Sequence, residues 1–433
     1  MPLAMKSPLP SILPDYTGIT GVTRTGWSVD QCADFIARLA AVKRRCVEIA
    51  AARMTGTPEW EVKAALGRWM WEDATQYRDL EKRLTELRSG RAAIRKVLDF
   101  QLGDVLTEML HAPDTLSLLA GWFDVLSPAY CDAIRSYLSG TQPLVDQPSV
   151  RILRTMLAEE EERLELGRQF LAVLGAGDKA AAREDWRAHV AGFLAAAGGI
   201  LGVDPLPPRG LRPKPRATEE YRMDREFRRD PRFQTTVPKR IPEGLGQNTV
   251  RTMMWVRAQE MTAAELMASV IHEWEDLPAD ALVDLTRHCW DEVRHALFGC
   301  CALAEEGIPH HSLLSWVGYA HHTLPAPPQK RYSHLAIATE AGAMAYPGGK
   351  RGEWEFCRDE AKHPLMTVFQ DFDWADEVTH VNYGRKWLVE HFCKGNREEA
   401  RRMADETVKE RERYYAQFTA EGAHSGKAFA GGY

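Results

Sequence analysis

Apolar residues recur along most of the chain at the three- and four-residue spacing of an amphipathic α-helix. Long helices are predicted from Val29 to Met54, Pro58 to about Leu87, Gln147 to about Leu174, after Asn248 to Asp276, Pro278 to Glu306, Arg331 to Tyr346, about Pro364 to Phe392, and Asn396 to Glu421. The period-two alternation of a half-buried β-strand appears nowhere. The sequence therefore predicts an all-α fold.

Length and composition predict a soluble protein of more than one domain. The chain has 433 residues, of which 45% are hydrophobic and 27% charged, and its formal net charge is −6. This charge gives no bulk preference for nucleic acid or an anionic membrane, and no apolar run is long enough to span a bilayer. We expect a cytoplasmic protein with no membrane or nucleic-acid partner, and with eight reduced, mostly buried cysteines.

The predicted organisation has two helical bundles. A leader occupies 1–26, the first bundle 27–204, a Pro-rich basic linker 205–247, the second bundle 248–422 and a tail 423–433. The linker is interpreted as an interdomain connector on the surface, and a lid or a contact for an acidic partner is the alternative.

Two Glu-x-x-His pairs carry the candidate chemistry. Glu292 and His295 stand three apart on one predicted helix, and Glu377 and His380 repeat the arrangement on another. Residues three apart on a helix leave the same face, so each pair can bind one metal ion. Two such pairs plus one glutamate from each of two further helices form the ligand set of four-helix di-iron and di-manganese carboxylate proteins.

The two further glutamates are predicted on neighbouring helices. Glu260 lies level with the first Glu-x-x-His pair when the helices before and after the turn at Leu277 run antiparallel, whereas Glu265 would lie about one turn too low. We favour Glu260 and keep Glu265 as the alternative. Glu340 is the acid between Arg331 and Tyr346, on an apolar stripe where an unpaired carboxylate would be costly.

An aspartate precedes each metal-binding pair. Asp291 and Asp376 stand immediately before Glu292 and Glu377. A ligating imidazole usually donates its other N–H to a carboxylate, which fixes its tautomer. Each aspartate is therefore expected to hold the histidine of the opposite pair.

The two halves also align with each other. Arg68 to Tyr77 matches Arg287 to Ala296, and Glu160 to Leu171 matches Glu377 to Leu388. The alignment sets Asp73 on Glu292, Gln76 on His295, Glu160 on Glu377 and Arg163 on His380. A guanidinium has no free lone pair for a metal. We therefore predict a tandem duplication of ferritin-like four-helix bundles in which the N-terminal bundle is degenerate and metal-free.

The second half resembles a family of ferritin-like proteins grouped as a domain of unknown function (DUF455), which are related to di-iron tRNA hydroxylases. The resemblance covers about 250 to 393, on AAEL at 263–266, WDEVRH at 290–295, TEAGAMAYPG at 339–348 and DEVTHVNYGRKW at 376–387. It implies a ferritin-like di-metal fold and O2-dependent chemistry, without implying a substrate.

These observations predict an O2-activating non-haem di-iron oxidase or oxygenase acting on a small organic substrate. The predicted metal ligands are Glu260, Glu292, His295, Glu340, Glu377 and His380. A cysteine-free oxygen and nitrogen set suits two iron ions, with Mn/Fe as a further possibility. O2 would be the co-substrate, an electron donor is possible, and a monomer or homodimer is expected. The alternative function is ferroxidase or iron-handling activity.

Overall fold

The structure is a computed structural model that describes residues 19–99, 101–208, 213–245, 249–344 and 348–418. Most of the predicted leader, the tail at 423–433, the helix ends predicted at Asn248, Tyr346 and Glu421, and part of the 339–348 motif lie outside these residues. Helix accounts for 71% of the structure and strand for 2%, which confirms the all-α class.

The α-helices largely follow the predicted periodicity. In chain order, α1 to α16 are Val29–Met54, Trp60–Glu86, Arg91–Leu98, Gln101–Leu110, Thr115–Leu119, Ser127–Gly140, Gln147–Leu174, Ala180–Ala196, Thr249–Ala258, Met261–Glu273, Ala279–Glu305, Pro328–Ser333, Ala341–Ala343, Lys350–Glu355, Pro364–Tyr383 and Arg397–Ala416. The π-helical segments are Ala120–Leu126, His334–Glu340, Phe356–Glu360 and Gly384–Phe392, and short 3₁₀ turns lie at Gly177–Lys179, His310–Ser312 and His321–Thr323. Among the described residues, no helix is both long enough and apolar enough to cross a bilayer.

The single helix predicted from Asn248 to Asp276 is wrong in one respect. The chain turns at Gln259 and Glu260, between α9 and α10. The Glu260 amide donates to the Arg257 carbonyl at 2.9 Å, which is the tighter i→i−3 pattern. The Gln259 side chain donates to the Trp255 carbonyl at 3.2 Å and accepts from the Trp316 amide at 2.6 Å. These side-chain bonds compete with regular helix geometry at this point.

A short parallel strand pair was not predicted. Strand β1 (Gln234–Thr236) pairs with β2 (Leu314–Trp316), with Gln234 opposite Leu314. Three residues are too few to show period-two alternation, so the hydrophobic pattern carries no signal for them.

The chain forms two compact units. One contains Met1–Arg45 and Thr75–Tyr221, and the other contains Cys46–Ala74 and Arg222–Tyr433. Helices α1 and α2 therefore each contribute residues to both units. The predicted domain boundaries at 204 and 248 stay a prediction. The compact units have other boundaries, because residues 46–74 belong to the same unit as the second half of the chain.

A buried ion cluster holds the segment 46–74 within the second unit. Arg229 binds both carboxylate oxygens of Glu265, at 2.6 and 2.7 Å, and Lys63 forms an ion pair with the same carboxylate. All three side chains are buried. Burial lowers the pKa of Lys63 to about 8, although the Glu265 carboxylate acts to raise it. The basic segment after 222 thus packs into this unit through Arg229.

Replacing Glu265 by alanine leaves Lys63 and Arg229 buried without their shared carboxylate. Removing one partner of a buried ion pair costs about 3–5 kcal/mol of unfolding free energy. We expect a loss of this size in urea denaturation. Glu275→Ala, at an exposed position after the same helix, is the control and should change the free energy by less than about 0.5 kcal/mol. Equal losses in the two variants would contradict this assignment.

Candidate metal centre

Four elements of the second unit position the six predicted ligands. Helix α11 carries Glu292 and His295, helix α15 carries Glu377 and His380, Glu340 ends the π-helical segment that follows α12, and Glu260 precedes the first residue of α10. None of the six is more than 4% exposed. The six side chains contribute to three overlapping groups, each compact enough to hold a metal ion.

The first group contains His288, Glu292, Glu340 and His380, with ligand atoms within 4.8 Å of one another. His288 Nε2 lies 2.6 Å from Glu340 Oε1 and 3.7 Å from Glu292 Oε1. His380 Nδ1 lies 3.5 Å from Glu340 Oε1 and 3.6 Å from Glu292 Oε1. The imidazole rings of His288 and His380 stack with centroids 3.8 Å apart. Two nitrogens and two carboxylates therefore converge on one point.

The other two groups meet at His295. One contains Glu260, Glu292 and His295, and the other contains His295, Asp373 and Glu377. His295 Nδ1 lies 3.4 Å from Glu260 Oε2 and 3.4 Å from Asp373 Oδ1. Glu292 belongs both to the His288 group and to the Glu260 group, so its carboxylate can bridge two metal positions.

The histidines are oriented as the sequence predicts. His295 Nε2 lies 3.2 Å from Asp376 Oδ2, and His380 Nε2 lies 3.3 Å from Asp291 Oδ2. Each aspartate thus contacts the histidine of the opposite pair, which confirms the predicted cross-pairing. With Nε2 beside the aspartate, Nδ1 of each ring faces the carboxylates, where it can bind a metal ion once it has lost its proton.

Two arginines hold the aspartates in place. Arg294 forms an ion pair with Asp291 and donates to Asp376 at 2.7 Å, and Arg287 donates to Asp291 at 2.6 Å. Burial alone would raise the pKa of Asp291, but the hydrogen bond from His380 and its charge, with Arg294, outweigh burial and lower it. Asp291 is therefore held as an anion that can fix the His380 ring.

The donor set fits a metal ion. Within the part of the chain that the structure describes, His295 Nδ1, His380 Nδ1 and Glu340 Oε2 are buried and make no hydrogen bond of good geometry. Buried polar atoms left in this way are costly unless something satisfies them. These atoms lie in the ligand groups, where a cation would satisfy them.

The buried charges of the ligand groups also favour the binding of a cation. Burial raises the pKa of Glu292 well above its ordinary value, and the carboxylates of Glu260 and Glu377 raise it further. Burial by itself would lower the pKa of His295, but neighbouring carboxylates, Asp373 foremost, outweigh burial and raise it to about 10. A cluster of carboxylates this dense is stabilised by additional positive charge.

Two members of the groups were missed by sequence reasoning. His288 stands four residues before Glu292, and Asp373 stands four residues before Glu377. Position i−4 lies on the same helix face as position i. Extending each Glu-x-x-His pair upstream by one turn, to His-x-x-x-Glu-x-x-His and Asp-x-x-x-Glu-x-x-His, would have found both residues.

The structure separates the two candidates for the first-helix ligand. Glu260 lies beside His295, whereas Glu265 is bound by Lys63 and Arg229 and belongs to none of the three groups. The geometry therefore favours Glu260.

Comparisons of the chain with family models, curated proteins and solved structures gave no match. The ferritin-like resemblance stays a prediction based on the residues quoted for it.

Metal binding should stabilise the protein, and this gain should depend on Glu292. A ligand present at a hundred times its dissociation constant stabilises the folded state by about 2.7 kcal/mol. We expect Mn(II) or Fe(II) to raise the Tm of the wild type in a concentration-dependent way under anaerobic conditions. Glu292→Gln should keep or raise the metal-free Tm, because it removes a repelled carboxylate, and should lose most of the metal-dependent rise.

Glu275→Gln is the matched control, since it makes the same chemical change at an exposed position, and it should respond to metal like the wild type. A full metal-dependent rise in Glu292→Gln would contradict the assignment of Glu292 as the shared ligand.

Proposed function

We propose that the protein is an O2-activating non-haem di-iron oxidase or oxygenase that acts on a small organic substrate. The observation that carries this proposal is the convergence of two buried ligand groups on Glu292, each with a histidine whose Nδ1 faces the carboxylates. The centre contains oxygen and nitrogen donors and no cysteine. Such a set suits two iron ions or a Mn/Fe pair and differs from the usual structural zinc site.

The side chains have distinct tasks in this proposal. Two ferrous ions held here would supply electrons for the reduction of O2 and open positions at which it can bind. Glu292 would bring the two positions together through one shared carboxylate. Asp291 and Asp376 hold His380 and His295 in the tautomer that presents Nδ1, and burial keeps bulk water away.

A small cavity of about 20 Å³ lies beside Glu260. It is lined by Lys239, Val256, Gln259, Glu260, Thr262, Ala263, Trp316 and Tyr319. This volume has room for a molecule about the size of water, so O2 could lie there beside the metal centre. An organic substrate would need this cavity to widen.

We also propose that the second bundle is ferritin-like and that the first is its degenerate duplicate. In the first unit, Glu160 is buried, forms an ion pair with Lys43 and lies 3.4 Å from Arg163 Nη1. Gln76 donates to Glu159 at 2.7 Å. Cationic and amide groups thus stand where the alignment places metal ligands, and the metal-sized groups found among the described residues all lie in the second unit.

Metal analysis after loading with saturating Fe(II) under anaerobic conditions tests the proposal. We expect close to two iron ions per chain and Fe(II)-dependent O2 consumption by a monomer or homodimer on a sizing column. A large shell that accumulates many iron ions would instead favour the iron-handling alternative. Iron content near zero that loading cannot raise would overturn the proposal.

His380→Ala should weaken iron binding because it removes a nitrogen ligand from the first group. We expect a loss of at least about 10- to 100-fold in affinity or in O2 consumption. His272→Ala is the control, because His272 lies on α10 and outside all three groups, and it should change little. Equal defects, or a larger one at His272, would show that the helix faces are misassigned.

A further inference from the structure

The two halves of the metal centre differ in the cations that surround them. In the half that contains Asp373 and Glu377, Lys350 Nζ lies 2.9 Å from Glu377 Oε1 and 2.9 and 3.0 Å from the oxygens of Asp373. It also lies 4.0 Å from Glu260 Oε1. Arg257 Nη1 adds a second positive charge, 2.7 Å from Glu260 and 3.1 Å from Asp373. Lys350 is 2% exposed, so its ammonium lies inside the cluster.

Among the described residues, no such cation lies in the half that contains His288 and His380. Within the described part of the chain, the ion-pair partners of Glu292 and Glu340 are these two histidines. One turn before Glu292, helix α11 carries the imidazole of His288. One turn before Glu377, helix α15 carries the carboxylate of Asp373. The extra negative charge is thus on the side where Lys350 and Arg257 lie.

An ammonium and a metal ion compete for the same oxygens. Metal–oxygen bonds to carboxylates are about 2.0–2.2 Å long for a transition metal such as zinc, so a metal on Asp373 and Glu377 would lie where Lys350 Nζ now contacts them. Two cations held so close together repel strongly in a buried site. Lys350 must therefore withdraw before this half can bind an ion tightly.

Two glycines lie directly before Lys350 in the chain. Lys350 is the first residue of the short helix α14, and Gly348 and Gly349 precede it. Gly348 has a φ of +96°, a conformation that glycine adopts without steric cost. Glycine also gives the backbone beside Lys350 a wide range of allowed conformations.

We propose that the Lys350 ammonium occupies the second metal position. The two ions therefore bind with different affinities. The first ion binds the His288, Glu292, Glu340 and His380 group, and the second binds only as Lys350 withdraws from Asp373 and Glu377. This inference rests on the proposed di-metal function. The first unit offers a parallel, because Lys43 pairs with Glu160, the residue aligned with Glu377.

Titration with Mn(II), followed by the EPR signal of the free ion, tests the proposal without an activity assay. The wild type should show two dissociation constants that differ by at least about tenfold. Lys350→Met keeps the side-chain length without the charge and should tighten the weaker constant by at least about tenfold. Lys350→Arg keeps the charge and should leave the second site weak. The comparison of the two variants separates the effect of the charge from the effect of changing this residue on folding.

Lys386→Met is the matched control, because Lys386 pairs with Asp284 away from the cluster and should bind Mn(II) like the wild type. Two equal constants in the wild type that stay unchanged in Lys350→Met would overturn the inference and leave the di-metal proposal intact. Binding of one ion by the wild type and of two ions by Lys350→Met would support the inference in its strongest form. No binding by any of the proteins would overturn the di-metal proposal and the inference with it.

Discussion

The mutual repulsion of buried carboxylates around Glu292 is the constraint on which the rest of the centre depends. Glu260, Glu340 and Glu377 all act on the Glu292 carboxylate, and burial makes their repulsion stronger. Histidines pair with the carboxylates on one side of the centre, and Lys350 and Arg257 pair with them on the other. A polar cluster of this density inside a helical unit costs stability unless cations neutralise it, and bound metal ions would take over part of the neutralising role that Lys350 and Arg257 have here.

The sequence predicts those parts of the centre that follow helical periodicity. The two Glu-x-x-His pairs, Glu340 and the choice of Glu260 come from spacing and from heights along antiparallel helices, and the cross-pairing with Asp291 and Asp376 follows from the usual second partner of a ligating imidazole. The prediction that each pair binds one ion is wrong for the second pair, because the structure groups Glu377 with His295 and groups His380 with Glu292 and Glu340. The same periodicity contained His288 and Asp373 one turn upstream. Both residues lie outside the four positions of Glu-x-x-His, so that motif alone does not predict them.

Other features depend on contacts between distant parts of the chain and could not be predicted from local patterns. Lys350 reaches the cluster from α14, and Lys63 reaches Glu265 from a segment more than two hundred residues away. The β1 and β2 strands are too short to show a pattern. The break between α9 and α10 at Gln259 depends on a hydrogen bond from the Trp316 amide. Helix propensity describes single residues and cannot predict this distant partner.

An anomalous difference map from crystals grown with Mn(II) would show where each ion binds without reference to activity. We expect a strong peak among His288, Glu292, Glu340 and His380. A second, weaker peak is expected beside His295, with Glu292 between the two. The absence of any peak near Glu292, or a peak at Glu265 in place of one at Glu260, would show that the metal ligands are misassigned.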